Sequence, residues 1–157
     1  MNVRPATPSD AAAMAEIYNE GIADRIATFE TTPRSADDVA AWFDGVHPIV
    51  VAEESGNVIA FAATSTYRPR SCYRGIAETS VYVARTARRK GAGRSVLQAL
   101  IDTCAKAGFW KLVSRVFPEN TRADGLFARS ASAKSASTKS TGNSTACGAT
   151  SSSWNCS

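Results

Sequence analysis

Histidine is nearly missing: His47 is the only one in 157 residues. Cysteine is scarce too, and Cys72, Cys104, Cys147 and Cys156 form no C-x-x-C pair and no cluster with histidine. That excludes a zinc-type metal centre and a disulfide scaffold as expectations. No apolar run approaches the roughly 18 residues that span a bilayer, so no membrane partner is expected. The opening MNVRPATPSDAAAM lacks a basic segment followed by an apolar one, so no secretory signal is read and the cytoplasm is the expected compartment. Neither sign of charge dominates. A net charge of +4 and a pI of about 9.0 suit an anionic ligand and are too mild to argue for nucleic acid.

What is present is ordinary for one globular domain: 44% hydrophobic and 20% charged residues. A short strand is expected at residues 3–6, then a helix capped by Ser9 with Ala12, Met14, Ile17 and Tyr18 at helical spacing. Residues 21–31 read as a loop or broken helix. Ser35 with Asp38 three residues on forms a capping box that opens a second helix through Val39, Trp42 and Phe43, the last two at core spacing. The run 49–53, the turn Ser55-Gly56-Asn57 and the run 58–67 make a hairpin, followed by a strand at 76–83. Val96, Leu97, Leu100, Ile101 and Cys104 give residues 91–107 an apolar stripe that Gly108 ends. A strand at 111–116 and a helix at 120–129 complete the order β-α-α-β-β-β-α-β-α. Hairpins followed by a β-α-β crossover predict an α/β (α+β) domain, with a mixed, mostly antiparallel sheet flanked by helices.

Residues 1–129 hold that domain, and at Ser130 the composition changes. Residues 130–157 contain ten serines and four threonines, and no Leu, Ile, Val, Phe, Tyr or Met. Such a segment buries too little apolar surface to offset the entropy of ordering it, so C-terminal strands are expected to be missing or disordered. A genuine low-complexity tail is one reading. A shifted reading frame is the other. With one nucleotide inserted after the Arg129 codon, a TCN serine becomes NTC, which encodes Phe, Leu, Ile or Val, and tryptophan becomes Leu, Val or Met. The closing Ser151-Ser152-Ser153-Trp154-Asn155-Cys156-Ser157 then reads as a mostly apolar strand. A core deprived of about ten apolar side chains, each contributing about 1.5–3 kcal/mol, would leave the chain poorly folded and weakly active or inactive.

Two segments carry chemistry. Arg88-Arg89-Lys90-Gly91-Ala92-Gly93-Arg94 lies between a strand and an amphipathic helix. Its glycines let a backbone approach a ligand, and the N–H groups of a helix start point at an anion. Arg85, Arg88, Arg89, Lys90 and Arg94 add attraction for a pyrophosphate. A basic turn before a solvated helix start is the plain alternative. The second segment is A-E-T-S-V-Y-V. Alternation puts Glu78, Ser80 and Tyr82 on one face of the strand and Thr79, Val81 and Val83 on the other. An acid among β-branched residues is locally unfavourable, which invites a functional reading over an edge charge facing water.

The segment A-E-T-S-V-Y-V-x(5)-R-x-x-G-x-G resembles the phosphinothricin acetyltransferase branch of the GNAT N-acetyltransferase superfamily. Further resemblance lies in I-Y-N-E-G, A-T-F-E, H-P-I-V-V-A-E, Y-R-P-R-S-C-Y-R and F-P-E-N, over nearly all of residues 1–129. It implies the acyl-CoA N-acyltransferase fold, acetyl-CoA as acetyl donor and a small amine or amino-acid acceptor such as phosphinothricin or methionine sulfoximine. The resemblance places the general base at Glu78. It places coenzyme contacts at Val81, Tyr82 and Val83, at Arg88, Arg89, Lys90, Gly91, Ala92, Gly93 and Arg94, and at Asn120. Arg70, Tyr73 and Arg74 are expected to meet acceptor oxygens, with Phe29 walling the pocket, and each arginine has a surface charge as its alternative. A polyamine acceptor would need acids where Arg70 and Arg74 stand. His47 reads as structural. A homodimer is what the resemblance implies. A coenzyme-binding remnant without catalysis is the rival reading, and a basic nucleic-acid binder ranks behind both because the arginine cluster lacks interleaved aromatics.

Overall fold

A computed structural model describes residues 1–25, 28, 30–116, 125–126 and 150–155. The chain opens with β1 (Asn2–Pro5), from which Arg4 reaches Asp10 at 2.8 Å and Glu53 at 3.0 Å. Thr7 and Asp10 form a reciprocal capping box over a 3₁₀ turn, so the cap lies on this pair rather than on Ser9. Helix α1 (Ala11–Asp24) follows. It runs through Gly21, where the sequence predicts a loop, and stops at Arg25 in the left-handed region at φ 55°. Gly21 is buried, and tertiary packing there outweighs its poor helix propensity.

The buried Asp10 makes the first expectation about stability. Hydrogen bonds from the Arg4 guanidinium, against the opposing effect of burial and with help from Thr7, lower its pKa to about 2. A folded-state pKa below the unfolded value means the stabilisation is complete above the unfolded value and is lost as pH falls through the folded one. Asp10→Asn is expected to cost about 1–2 kcal/mol at pH 7. Urea unfolding should show that difference shrinking between pH 4 and pH 2. An equal loss at both ends would mean that the substituted amide fails for reasons other than charge.

Helix α2 (Ala36–Ala40) begins at the expected Ser35–Asp38 capping box. It ends before Trp42 and Phe43, which pack half-buried on the core as their spacing predicts. Strands β2 (Ile49–Glu54) and β3 (Asn57–Thr66) form the hairpin, with Ser55 and Gly56 both at positive φ in the turn. After β4 (Ile76–Val83), helix α3 (Ala92–Lys106) crosses over to β5 (Lys111–Val116). With a last strand β6 (Thr150–Asn155), the sheet order is β1-β2-β3-β4-β5-β6, antiparallel throughout except for the parallel β4–β5 pair.

Alternating residues divide the core between the two faces. Val50, Ala52, Ala60, Ala62 and Ala77 pack on Val96, Leu97, Leu100 and Cys104 of α3. Val51, Phe61, Ala63 and Tyr82 pack on Met14, Ile17 and Tyr18 of α1 and on Val39. Of the helix expected at 120–129, only Gly125 and Leu126 are described, and both are helical. The expectation that no strand follows Arg129 is corrected at one place. β6 (Thr150–Asn155) pairs antiparallel along β5, from Lys111↔Asn155 to Val116↔Thr150. Composition failed to show it because a ladder is made of backbone groups, which serine supplies like any residue, and β5 offers an edge to be paired.

Candidate active site

β4 and β5 lie together only over Ile76↔Lys111, Ala77↔Leu112 and Glu78↔Val113. Beyond Glu78 they share no further pairs, so a cleft opens with Glu78 at its apex. The Ala84 N–H bonds to the Ile59 carbonyl of β3 at 2.9 Å. Backbone groups alternate along a strand, so those of Tyr82 and Ser80 also turn to β3 while those of Val81 and Val83 turn to the cleft. The Val83 carbonyl accepts a bond from Arg88 Nε at 3.2 Å on that side. The Thr79 hydroxyl is buried beside the apex and has no hydrogen-bond partner among the described residues.

The loop that closes the cleft's far end explains its glycines. Arg89 and Gly91 take positive φ, 67° and 86°, and Gly91 caps α3. A Cβ on Gly91 would stand in open space, so conformation alone requires glycine there. At Gly93 the reason is distance: a Cβ would come within 3.2 Å of Val83 Cγ2, so any larger residue would push that side chain or α3 back by a few tenths of an ångström. Helical bonding begins with the Ser95 N–H on the Gly91 carbonyl, which leaves the preceding N–H groups facing the cleft's end. Arg89, Lys90 and Arg94 are exposed there. Arg88 and Arg85 instead grip Asp24 of α1 at 2.6 Å each, and Arg85 first, then Arg88, holds that carboxyl below the usual range. The two arginines therefore tie the loop to α1. These features fit a pantetheine chain along Val81 and Val83 and a pyrophosphate at the start of α3.

On the opposite face of β4 lies a cavity of about 580 Å³. Glu78, Ser80 and Tyr82 line it, as their alternation predicts, together with Tyr18 and Trp42 from the α1 side. Tyr18 meets Trp42 edge-on at 5.5 Å and Tyr82 at 4.8 Å, and Tyr82 stacks on Phe61 at 5.2 Å. Its packing makes the Tyr82 ring a wall of the cavity, burial pushes its phenol up, and its backbone groups turn to β3. Glu78 is half-buried, with Arg115 Nη2 3.3 Å from its carboxylate. It therefore borders both the cavity and the cleft.

Other expected residues lie elsewhere. Arg70 and Arg74 are exposed on either side of a 3₁₀ turn, outside the cavity lining. Tyr73 packs edge-on against Tyr67 at 5.7 Å, with the Arg68 guanidinium over both rings. Phe29 and Asn120 lie outside the described residues. Sequence reasoning missed Glu30, Arg34 and Asp44, which line the cavity. His47, read as structural, is paired with Asp44 and packs against Phe109, and it also lines the cavity. Hydrogen bonds from the His47 N–H and ring and from the Val46 N–H overcome desolvation and hold Asp44 at a pKa of about 2. No periodicity could have found these residues, because α1 and the segment after it gather them from separate turns.

Both the sequence and the fold resemble those of known proteins. Residues 14–131 match the acetyltransferase (GNAT) family. An L-methionine sulfoximine/L-methionine sulfone acetyltransferase of Pseudomonas paraeruginosa is 33% identical over 133 residues, spanning 82% of this chain and 77% of that one. A phosphinothricin N-acetyltransferase of Alcaligenes faecalis is 34% identical over 131 residues, with 80% and 66% covered. The crystal structure of a GNAT phosphinothricin acetyltransferase from Sinorhizobium meliloti in complex with acetyl-CoA superposes with a TM-score of 0.76 at 32% identity, covering 82% of this chain and 72% of that one. With its split β4–β5 pair and its glycine loop opening α3, the chain belongs to the GNAT acetyltransferase family and is by descent an acetyl-CoA-dependent N-acetyltransferase.

Proposed function

We propose that the chain moves an acetyl group from acetyl-CoA to the α-amino group of a small amino-acid-like acceptor, of the kind represented by phosphinothricin and methionine sulfoximine. The position of Glu78, between the cleft and the acceptor-sized cavity, carries this reading. Acetyl-CoA supplies the thioester carbonyl. Glu78 takes one proton from the acceptor's ammonium, directly or through water, because only the free amine has a lone pair to attack that carbonyl. The N–C bond forms, the C–S bond breaks, and the second proton lost from the nitrogen passes through water to the leaving thiolate. Backbone groups of Val81 and Val83 and the start of α3 hold the donor so that attack is effectively intramolecular. The reading includes a homodimer, by family resemblance, in the cytoplasm, by the sequence's lack of a secretory pattern, with no nucleic-acid or membrane partner.

A second reading is favoured by the serine-rich segment after Arg129: a product of a shifted frame that binds the coenzyme without transfer. Thiol release from acetyl-CoA separates the two. Transfer predicts release that depends on added phosphinothricin or L-methionine sulfone. Coenzyme binding without acceptor-dependent release leaves the remnant.

A further inference from the structure

Arg34 is the only lysine or arginine among the described residues lining the cavity, where it shares the wall with Glu30, Asp44 and Glu78. It is held from two sides. The Asn19 side chain of α1 clamps its backbone, accepting from the Arg34 N–H at 2.8 Å and donating to the Arg34 carbonyl at 2.9 Å. One terminal nitrogen of the guanidinium meets both carboxylate oxygens of Glu30 at 2.6 Å. The Nε–H is different: it is buried and has no acceptor among the described residues. A charged donor shut away from water without an acceptor is unfavourable, and a rotation of the side chain that brings it to an oxyanion in the cavity relieves it.

We infer that Arg34 receives the acceptor's carboxylate, so that the cavity selects zwitterionic α-amino acids over plain amines. This rests on the acetyl-transfer reading and adds the acceptor's second handle. Glu78 faces the amine that reacts, and Arg34 takes the oxyanion attached to the same carbon. The surplus of acids in the wall would by itself draw any cation, so the arginine is what turns attraction for an amine into selection for an amino acid. Arg70 and Arg74 are not needed for this step, since neither lines the cavity.

The test uses the full chain saturated with CoA, titrated calorimetrically with L-methionine sulfone and with 3-(methylsulfonyl)propylamine, which lacks only the carboxylate. Arg34→Met is expected to weaken the amino acid about 10–100-fold and to leave the amine and acetyl-CoA unchanged. Arg34→Lys keeps the charge but lacks the planar fork, and should recover only part of the loss. Both variants retain the backbone groups that Asn19 grips, so neither removes the clamp on this segment. Equal loss for both compounds, or no loss for either, overturns the inference. If the unsubstituted chain binds acetyl-CoA but neither compound, the inference falls and coenzyme binding stands. If it binds no acetyl-CoA, the transfer reading falls and takes the inference with it.

Discussion

Glutamine at position 78 is expected to slow acetyl transfer by about 10²–10⁴-fold, with acetyl-CoA affinity little changed. The amide keeps the shape of the carboxylate and its place at the apex of the β4–β5 cleft, but it cannot take a proton from an ammonium. The accompanying loss of the ion pair to Arg115 contributes little, because that guanidinium is 58% exposed and surface pairs are weak. A pH series separates a base from a structural partner. Above the acceptor's own ammonium pKa the amine arrives already free, so the deficit of Glu78→Gln should narrow there. A deficit of the same size at every pH would reduce Glu78 to an anchor for Arg115. Full activity in the variant would remove it from the reaction altogether.

The strand pattern was readable because both faces of the sheet are covered and each residue had to obey alternation. Glu78, Ser80 and Tyr82 fall together for that reason, and the division of the core follows the same rule. The glycine loop was readable because its requirements are local: positive φ at Gly91 and close helix packing at Gly93. What the sequence hid is what distant segments do to one another. Arg88 looks like a cation for a pyrophosphate until Asp24, in a helix expected to have ended, is found beneath it. Arg34 looks like one more loop charge until Asn19 fixes its backbone and Glu30 its terminus. Local spacing carries no record of either meeting.

A chain whose frame is shifted by one inserted nucleotide after the Arg129 codon is expected to melt about 10 °C higher and to show the larger turnover. β6 shows why. Its backbone ladder to β5 places Trp154 opposite Leu112 and Ser153 opposite Val113. Leu112 and Val113 are both buried, so these register positions border the core. In the shifted frame TCN serines at 151, 152 and 153 become Phe, Leu, Ile or Val, and Trp154 becomes Leu, Val or Met, without a change in strand length. The backbone of a serine completes the hydrogen bonds of a strand, but its hydroxymethyl group adds almost no apolar area. Two or three added apolar side chains, where buried, would contribute about 1.5–3 kcal/mol each, and in a chain of this size each kcal/mol raises the melting point about 2–4 °C. Calorimetric melting of the two chains side by side, followed by thiol release with the same acceptors, reads both effects. Equal melting points and equal turnover would make the serine-rich segment a genuine part of the protein, with a sheet edge that β6 completes through its backbone alone.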